Sequence, residues 1–151
     1  MNRSILRAVC VCCPLVIAVA GCSETIPART SKPVPATDVG RVEAWRDAEL
    51  VTANGEGRIT VIGSGESMRP IYGENTVLVI SKVNFADLKT GMQVAYMNKS
   101  GHRVVHVLLK PDALGWRVQG LNNASEDRER VTTHNLIGVV YASFATDEAL
   151  Q

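Results

Sequence analysis

The chain has 151 residues, 46% of them hydrophobic and 21% charged, with a formal net charge of +1; that is the balance of one ordinary globular domain plus terminal segments. The charge argues against nucleic acid as a partner: without the first 21 residues Arg3 and Arg7 are lost and no acid is, leaving a slight negative excess and no basic stripe. All four cysteines, Cys10, Cys12, Cys13 and Cys22, precede Ser23, so the body of the protein has neither a disulfide framework nor a thiolate metal site.

Residues 1–7 carry two arginines, and residues 8–20 are apolar apart from Pro14. A basic start, a short apolar run and small residues at its end mark residues 1–21 as an export signal. The run is too short to span a bilayer, which takes about 20 residues. Val19-Ala20-Gly21-Cys22 resembles the lipobox of bacterial lipoproteins, which implies cleavage before Cys22 and a lipid on its sulfur. Ser23 in the next position implies, by the same resemblance, sorting to the outer membrane where a cell has one. An uncleaved signal anchor is the alternative. Either way the domain is expected in the cell envelope, tethered on the far side of the inner membrane.

Residues 22–37 contain Pro27, Pro33 and Pro35 among Ser, Thr and Ala, with no hydrophobic period, and read as a disordered tether after the lipidated cysteine. The folded domain is then residues 38–151. Val39, Val42, Trp45 and Ala48 recur every three residues and predict a short amphipathic helix over 38–51, closed by the turn Asn54-Gly55. Strands are expected at 58–62, 76–80, 93–97, 102–110, 116–120 and 136–145, with a turn at Pro111–Gly115 and a polar loop over 121–130. Asn75, before the second strand, is a residue that tolerates left-handed backbone angles. One early helix followed by short strands at near-regular spacing predicts a mostly β fold, a small antiparallel domain with one N-terminal helix.

The connection Gly63-Ser64-Gly65-Glu66-Ser67-Met68-Arg69-Pro70 sets one serine between chain-bending residues. Glycines allow a sharp turn and a close backbone approach, and Pro70 keeps Met68 and Arg69 from running on into a helix. Loops of this kind display nucleophiles on a rigid frame. A serine hydroxyl needs a base, however, and the strand from His102 to Leu109 supplies two candidates. Alternation places His102 and His106 on one face, roughly 13 Å apart along the strand, so only one reaches Ser67 and the two cannot share a metal. His102, at the mouth of a hairpin, is the better placed; no metal and no cofactor is implied.

Ser67-Met68-Arg69-Pro70, Gly91-Met92-Gln93-Val94-Ala95-Tyr96 and His102-Arg103-Val104-Val105 resemble, in order, successive boxes of the type I signal peptidases. His102 in place of a lysine makes the chain similar to the histidine-type branch. Gln119-Gly120-Leu121-Asn122-Asn123 and the acids Glu126 and Asp127 extend the match, and Asn135–Val140 resembles the closing strand. The resemblance implies a domain of the signal peptidase and LexA-like type, with a triad of Ser67, His102 and Asp127. It also implies an oxyanion site from the Ser67 amide and the Ser64 hydroxyl, and a substrate wall of Met68, Ile71 and Tyr72. Three positions depart from the pattern. Gly65 stands where signal peptidases usually carry a serine, as it does in self-cleaving LexA-type repressors. Leu121 replaces an aspartate, and Asn75-Thr76 stands for Gly-Asp. The implied activity is a membrane-tethered serine endopeptidase that cuts exported polypeptides near small residues. A lipoprotein that keeps the fold to bind a peptide strand without cutting it is the alternative. A repressor is disfavoured by the export signal and the missing DNA-binding segment.

Overall fold

A computed structural model describes residues 33–147; the export signal, Cys22 and the first part of the expected tether lie outside them. Within the described residues, α1 (Arg41–Ala53) precedes seven strands, β1 (Arg58–Ile62), β2 (Thr76–Ser81), β3 (Gln93–Met97), β4 (Arg103–Asp112), β5 (Gly115–Gln119), β6 (Arg130–Val131) and β7 (Leu136–Ala145). All pairings are antiparallel in one curled, half-barrel sheet of order β1-β2-β7-β3-β4-β5-β6. The domain is mostly β with one N-terminal helix, as the pattern of short strands and turns predicts.

The continuous apolar run of β2 explains its place. Val77, Leu78, Val79 and Ile80 are all buried, because β2 lies between β1 and β7 with both faces covered. Val77 and Val79 pack on Ala44 and Ala48 of α1, while Leu78 and Ile80 pack on Met68, Tyr72 and Ala95. Full burial of each such side chain contributes about 1.5–3 kcal/mol, so β2 is the strand on which the Ser67 loop and the helix are both founded.

The helix buries only part of the expected stripe, Val39 and Ala48 but not Val42 or Trp45. Val42 is exposed and Trp45 is 38% exposed, whereas Ala44 and Ala48 are buried, with Val39 and Val51 packed beside them. A strict three-residue step drifts around a helix of 3.6 residues per turn, whereas Ala44, Ala48 and Val51 stay on one face. β4 also runs two residues further than expected, through Pro111, because the ladder shifts register between Leu108 and Pro111 and a missing N–H is tolerated at such a break.

Asn75 does not take a left-handed conformation, since no non-glycine residue described has positive φ. Its amide instead donates to the carbonyls of Pro35 (3.1 Å) and Thr146 (3.0 Å). The end of the proline-rich segment lies on the domain: the Thr37 hydroxyl donates to the Ala145 carbonyl (3.2 Å), and Val34 packs so closely on Gly73 that a Cβ there would sit 2.7 Å from it.

Candidate functional site

Residues 63–75, between β1 and β2, form the loop that carries Ser67. Gly65 has φ +75°, a left-handed conformation that side chains other than glycine adopt at a cost. The turn after Ser67 is closed by the Tyr72 N–H donating to the Met68 carbonyl (3.2 Å). Met68 and Tyr72 therefore lie on the same side, 5% and 7% exposed, and plug into the apolar cluster of Leu78, Ile80 and Ala95. The Tyr72 hydroxyl donates to Gln93 Oε1, and burial pushes its pKa up. Ile71 projects elsewhere: it is 42% exposed and lines a groove with Pro33, Val34 and Pro70. Of the three expected wall residues, Met68 and Tyr72 line the space beside Ser67 and Ile71 does not.

That space is a cleft of about 720 Å³. One wall is the end of β1 with Ser64, Gly65 and Ser67; Met68, Tyr72 and Leu78 also line it, and Gly101 to Val105 form the opposite wall. Ser67 and His102, far apart in sequence, thus face one cavity, with Ser64 beside them. Trp45 of α1 lines it too, although the sequence suggested a core residue. The Ser67 amide and hydroxyl make no hydrogen bond among the described residues. Arg103, beside His102, is exposed on the same cleft and makes no ion pair among the described residues.

His102 is exposed in side chain and fixed in backbone. Its N–H donates to Asn98 Oδ1 (2.9 Å), its carbonyl accepts from the Asn98 N–H (2.9 Å), and the Ser100 N–H also donates to Asn98 Oδ1 (3.0 Å). The hairpin turn that the sequence shows as Asn98–Gly101 is therefore a frame for the histidine.

Asp127 meets His106, not His102. Its Oδ2 accepts from His106 Nδ1 at 2.5 Å and from the Tyr96 hydroxyl at 2.5 Å. Both donors are buried, Tyr96 at 2% and His106 at 6% exposure. Burial, and then the carboxylate beside it, push the Tyr96 pKa far above its ordinary value. The neighbouring acid is committed elsewhere, since Arg117 makes two hydrogen bonds of 2.6 Å to Glu126. The Asp127 N–H donates to the Val118 carbonyl (2.9 Å), which fixes the aspartate against β5.

The turn after β5 grips the Ser67 loop. The Asn122 N–H donates to the Ser67 carbonyl (2.8 Å) and the Asn122 side-chain amide to the Glu66 carbonyl (3.1 Å). Gly120 makes this approach possible. A Cβ there would lie 2.7 Å from the Ser67 carbonyl oxygen, 2.8 Å from Asn123 Nδ2 and 2.9 Å from His106 Nε2. Leu121, in the place of the missing aspartate, is 44% exposed.

The sequence offered His106 only as the less well placed of two candidate bases and Tyr96 only as the end of a motif; neither was given a role with Asp127. Their signal was the alternation itself: β3 pairs with β4 so that Val94 faces His106 and Tyr96 faces Val104, which puts the two rings on one face, 6.3 Å between centroids. Among the described residues no group of three or more His, Cys, Asp or Glu side chains gathers as a metal site, and no helix is long and apolar enough to cross a membrane.

The fold and the cleft thus define a small antiparallel β domain in which Ser67 and the exposed His102 line one cleft. Comparison with known proteins adds no family to this description: no protein-family model matches the chain, and none of the curated proteins matches it.

Proposed function

We propose that the protein is a serine endopeptidase similar to the histidine-type signal peptidases, tethered in the cell envelope through a lipid on Cys22 and acting on exported polypeptides. The observation that carries this reading is the shared cleft: Ser67 and His102 face one cavity, and the serine's amide and hydroxyl are free among the described residues. Ser67 Oγ attacks the substrate carbonyl carbon while His102 takes its proton, then returns it to the leaving amine, and water hydrolyses the acyl-enzyme by the same route. The Ser67 N–H and the Ser64 hydroxyl face the oxyanion. β1 is an edge strand and borders the cleft, which suits an extended peptide bound by strand addition. The narrow apolar surface of Met68 and Tyr72 suits small side chains.

One observation favours the alternative of a binding module. Asp127, the expected third member of a triad, is already bonded to His106, so His102 has no carboxylate to orient it. The test is cleavage of exported-precursor peptides by the full chain in detergent, beside Ser67→Ala, with cut sites read by mass spectrometry. Ser67-dependent cuts next to small residues are expected. Peptide binding without cleavage by a folded sample would instead establish the binding module.

A further inference from the structure

The peptidase reading leaves one buried network without a task, the chain from Tyr96 through Asp127 to His106. This titratable ring is more than nine-tenths buried, with a carboxylate at one nitrogen and no hydrogen-bond partner at the other among the described residues, and the peptidase reading gives it no part. We propose that Asp127 acts through His106 rather than through His102, and that this pair is a positioning device that holds the Ser67 loop from its buried side. The proposal rests on Ser67 being the nucleophile.

The roles follow from donors and acceptors. The Tyr96 phenol is kept protonated by burial and by the carboxylate, so its hydroxyl donates to Asp127 Oδ2. The same oxygen accepts from His106, so Nδ1 carries the hydrogen, and in the neutral ring Nε2 is a bare acceptor. Nε2 lies against the Gly120 turn, whose missing Cβ leaves a gap ringed by the Ser67 carbonyl oxygen, Asn123 Nδ2 and Nε2 itself. The Ser67 carbonyl accepts from the Asn122 N–H of that turn at 2.8 Å, so a ring that keeps the turn in place by packing keeps the Ser67 loop in place with it.

The charged and titratable groups around it are few. Asp127 and Tyr96 touch it or share its carboxylate, and Glu129 adds to the field at Tyr96. Arg117 on β5 is neutralised by Glu126, and His102 is roughly 13 Å along the strand.

The experiment compares His106→Gln, Asp127→Asn, the double variant and His102→Gln in the full-length protein, measuring kcat, KM and the pH profile of Ser67-dependent peptide cleavage. His106→Gln and Asp127→Asn are each expected to lower kcat about 10- to 100-fold with KM nearly unchanged, the cost of a misplaced nucleophile. The double variant should be no worse than the weaker single one. His102→Gln should leave no measurable turnover. The proposal is overturned if Asp127→Asn falls to the level of His102→Gln while His106→Gln keeps the parent rate and profile, or if the two losses multiply. Histidine-ring NMR gives a second readout that needs no activity. Asp127→Asn should move the ring resonances of His106 and leave those of His102 in place, and the reverse pattern overturns the proposal. Cleavage that persists in Ser67→Ala would instead remove the peptidase reading, leaving the NMR result to decide the pairing.

Discussion

The two histidines, His102 just before β4 and His106 within it, stand in opposite environments. His102 is solvent-exposed, lines the cleft with Ser67, and owes its place to hydrogen bonds made only by its backbone. His106 is 6% exposed, lies outside the cleft, and is held by its ring. A ring in water meets solvent directly; a ring bonded to a carboxylate through Nδ1 is held in one orientation and keeps Nε2 for what lies beside it. The lesson is that a carboxylate expected to serve one histidine can be taken by another on the same stretch of chain, here His106.

Substitutions at the two positions should therefore part company, and the largest effect tests the exposed one. Ser67→Ala and His102→Ala should each reduce cleavage by about 10⁴-fold or more while leaving the melting temperature almost unchanged, since neither side chain is bonded. Kinetics and thermal melting on the same samples check both halves. His106→Ala should do the opposite in melting: it leaves Asp127 partly unsatisfied and opens a gap beside Tyr96, a loss of about 2–4 kcal/mol by denaturant titration.

Gly120→Ala lies between the two. Its new methyl must displace the Ser67 carbonyl, the Asn123 amide or the His106 ring, each under 3 Å away, and overpacking of this kind costs about 1–3 kcal/mol. Activity should fall with it, because the displaced backbone is that of the nucleophile; a fully active Gly120→Ala would show that the turn does not set the site.

Tyr96→Phe sharpens the buried side of the comparison through pH. The folded-state pKa of Tyr96 is raised, burial first and Asp127 second, so its stabilising contribution is fully present below about pH 10 and is lost as pH climbs beyond the unfolded value. Unfolding followed above that pH should show a shallower loss in Tyr96→Phe than in the parent.

The smallest effect belongs to the far end of β4. Asp112 is held below the usual carboxylate range, chiefly by the hydrogen bond from Arg130. Its contribution is present above about pH 4 and fades as pH falls through the lowered value. Asp112→Asn should flatten the acid limb of stability slightly and leave cleavage alone.

The sheet was legible because its strands obey local rules. The apolar run of β2, the Asn98–Gly101 turn and the alternation along β4 each point to the structure found. The two-residue β6 was not, since Arg130-Val131 is too short to carry a period. At the site, the loop of Ser67 and the placing of His102 at a hairpin mouth could be read from residue types. The partner of Asp127 could not. That choice depends on how far the sheet curls and on the register of β3 against β4, both of which are set by packing rather than by neighbours in sequence.

The corner where Asn75 binds the carbonyls of both Pro35 and Thr146, with Thr37 bonded to Ala145, brings the start and the end of the folded domain together. A mechanical load applied through the N-terminal segment would be carried there, by a few hydrogen bonds at the head of β2, before it reached β3, β4 or the histidines. Stretching in an optical trap should therefore peel residues 33–39 away at low force while the cleft stays assembled, which makes this corner a strain relief for the site.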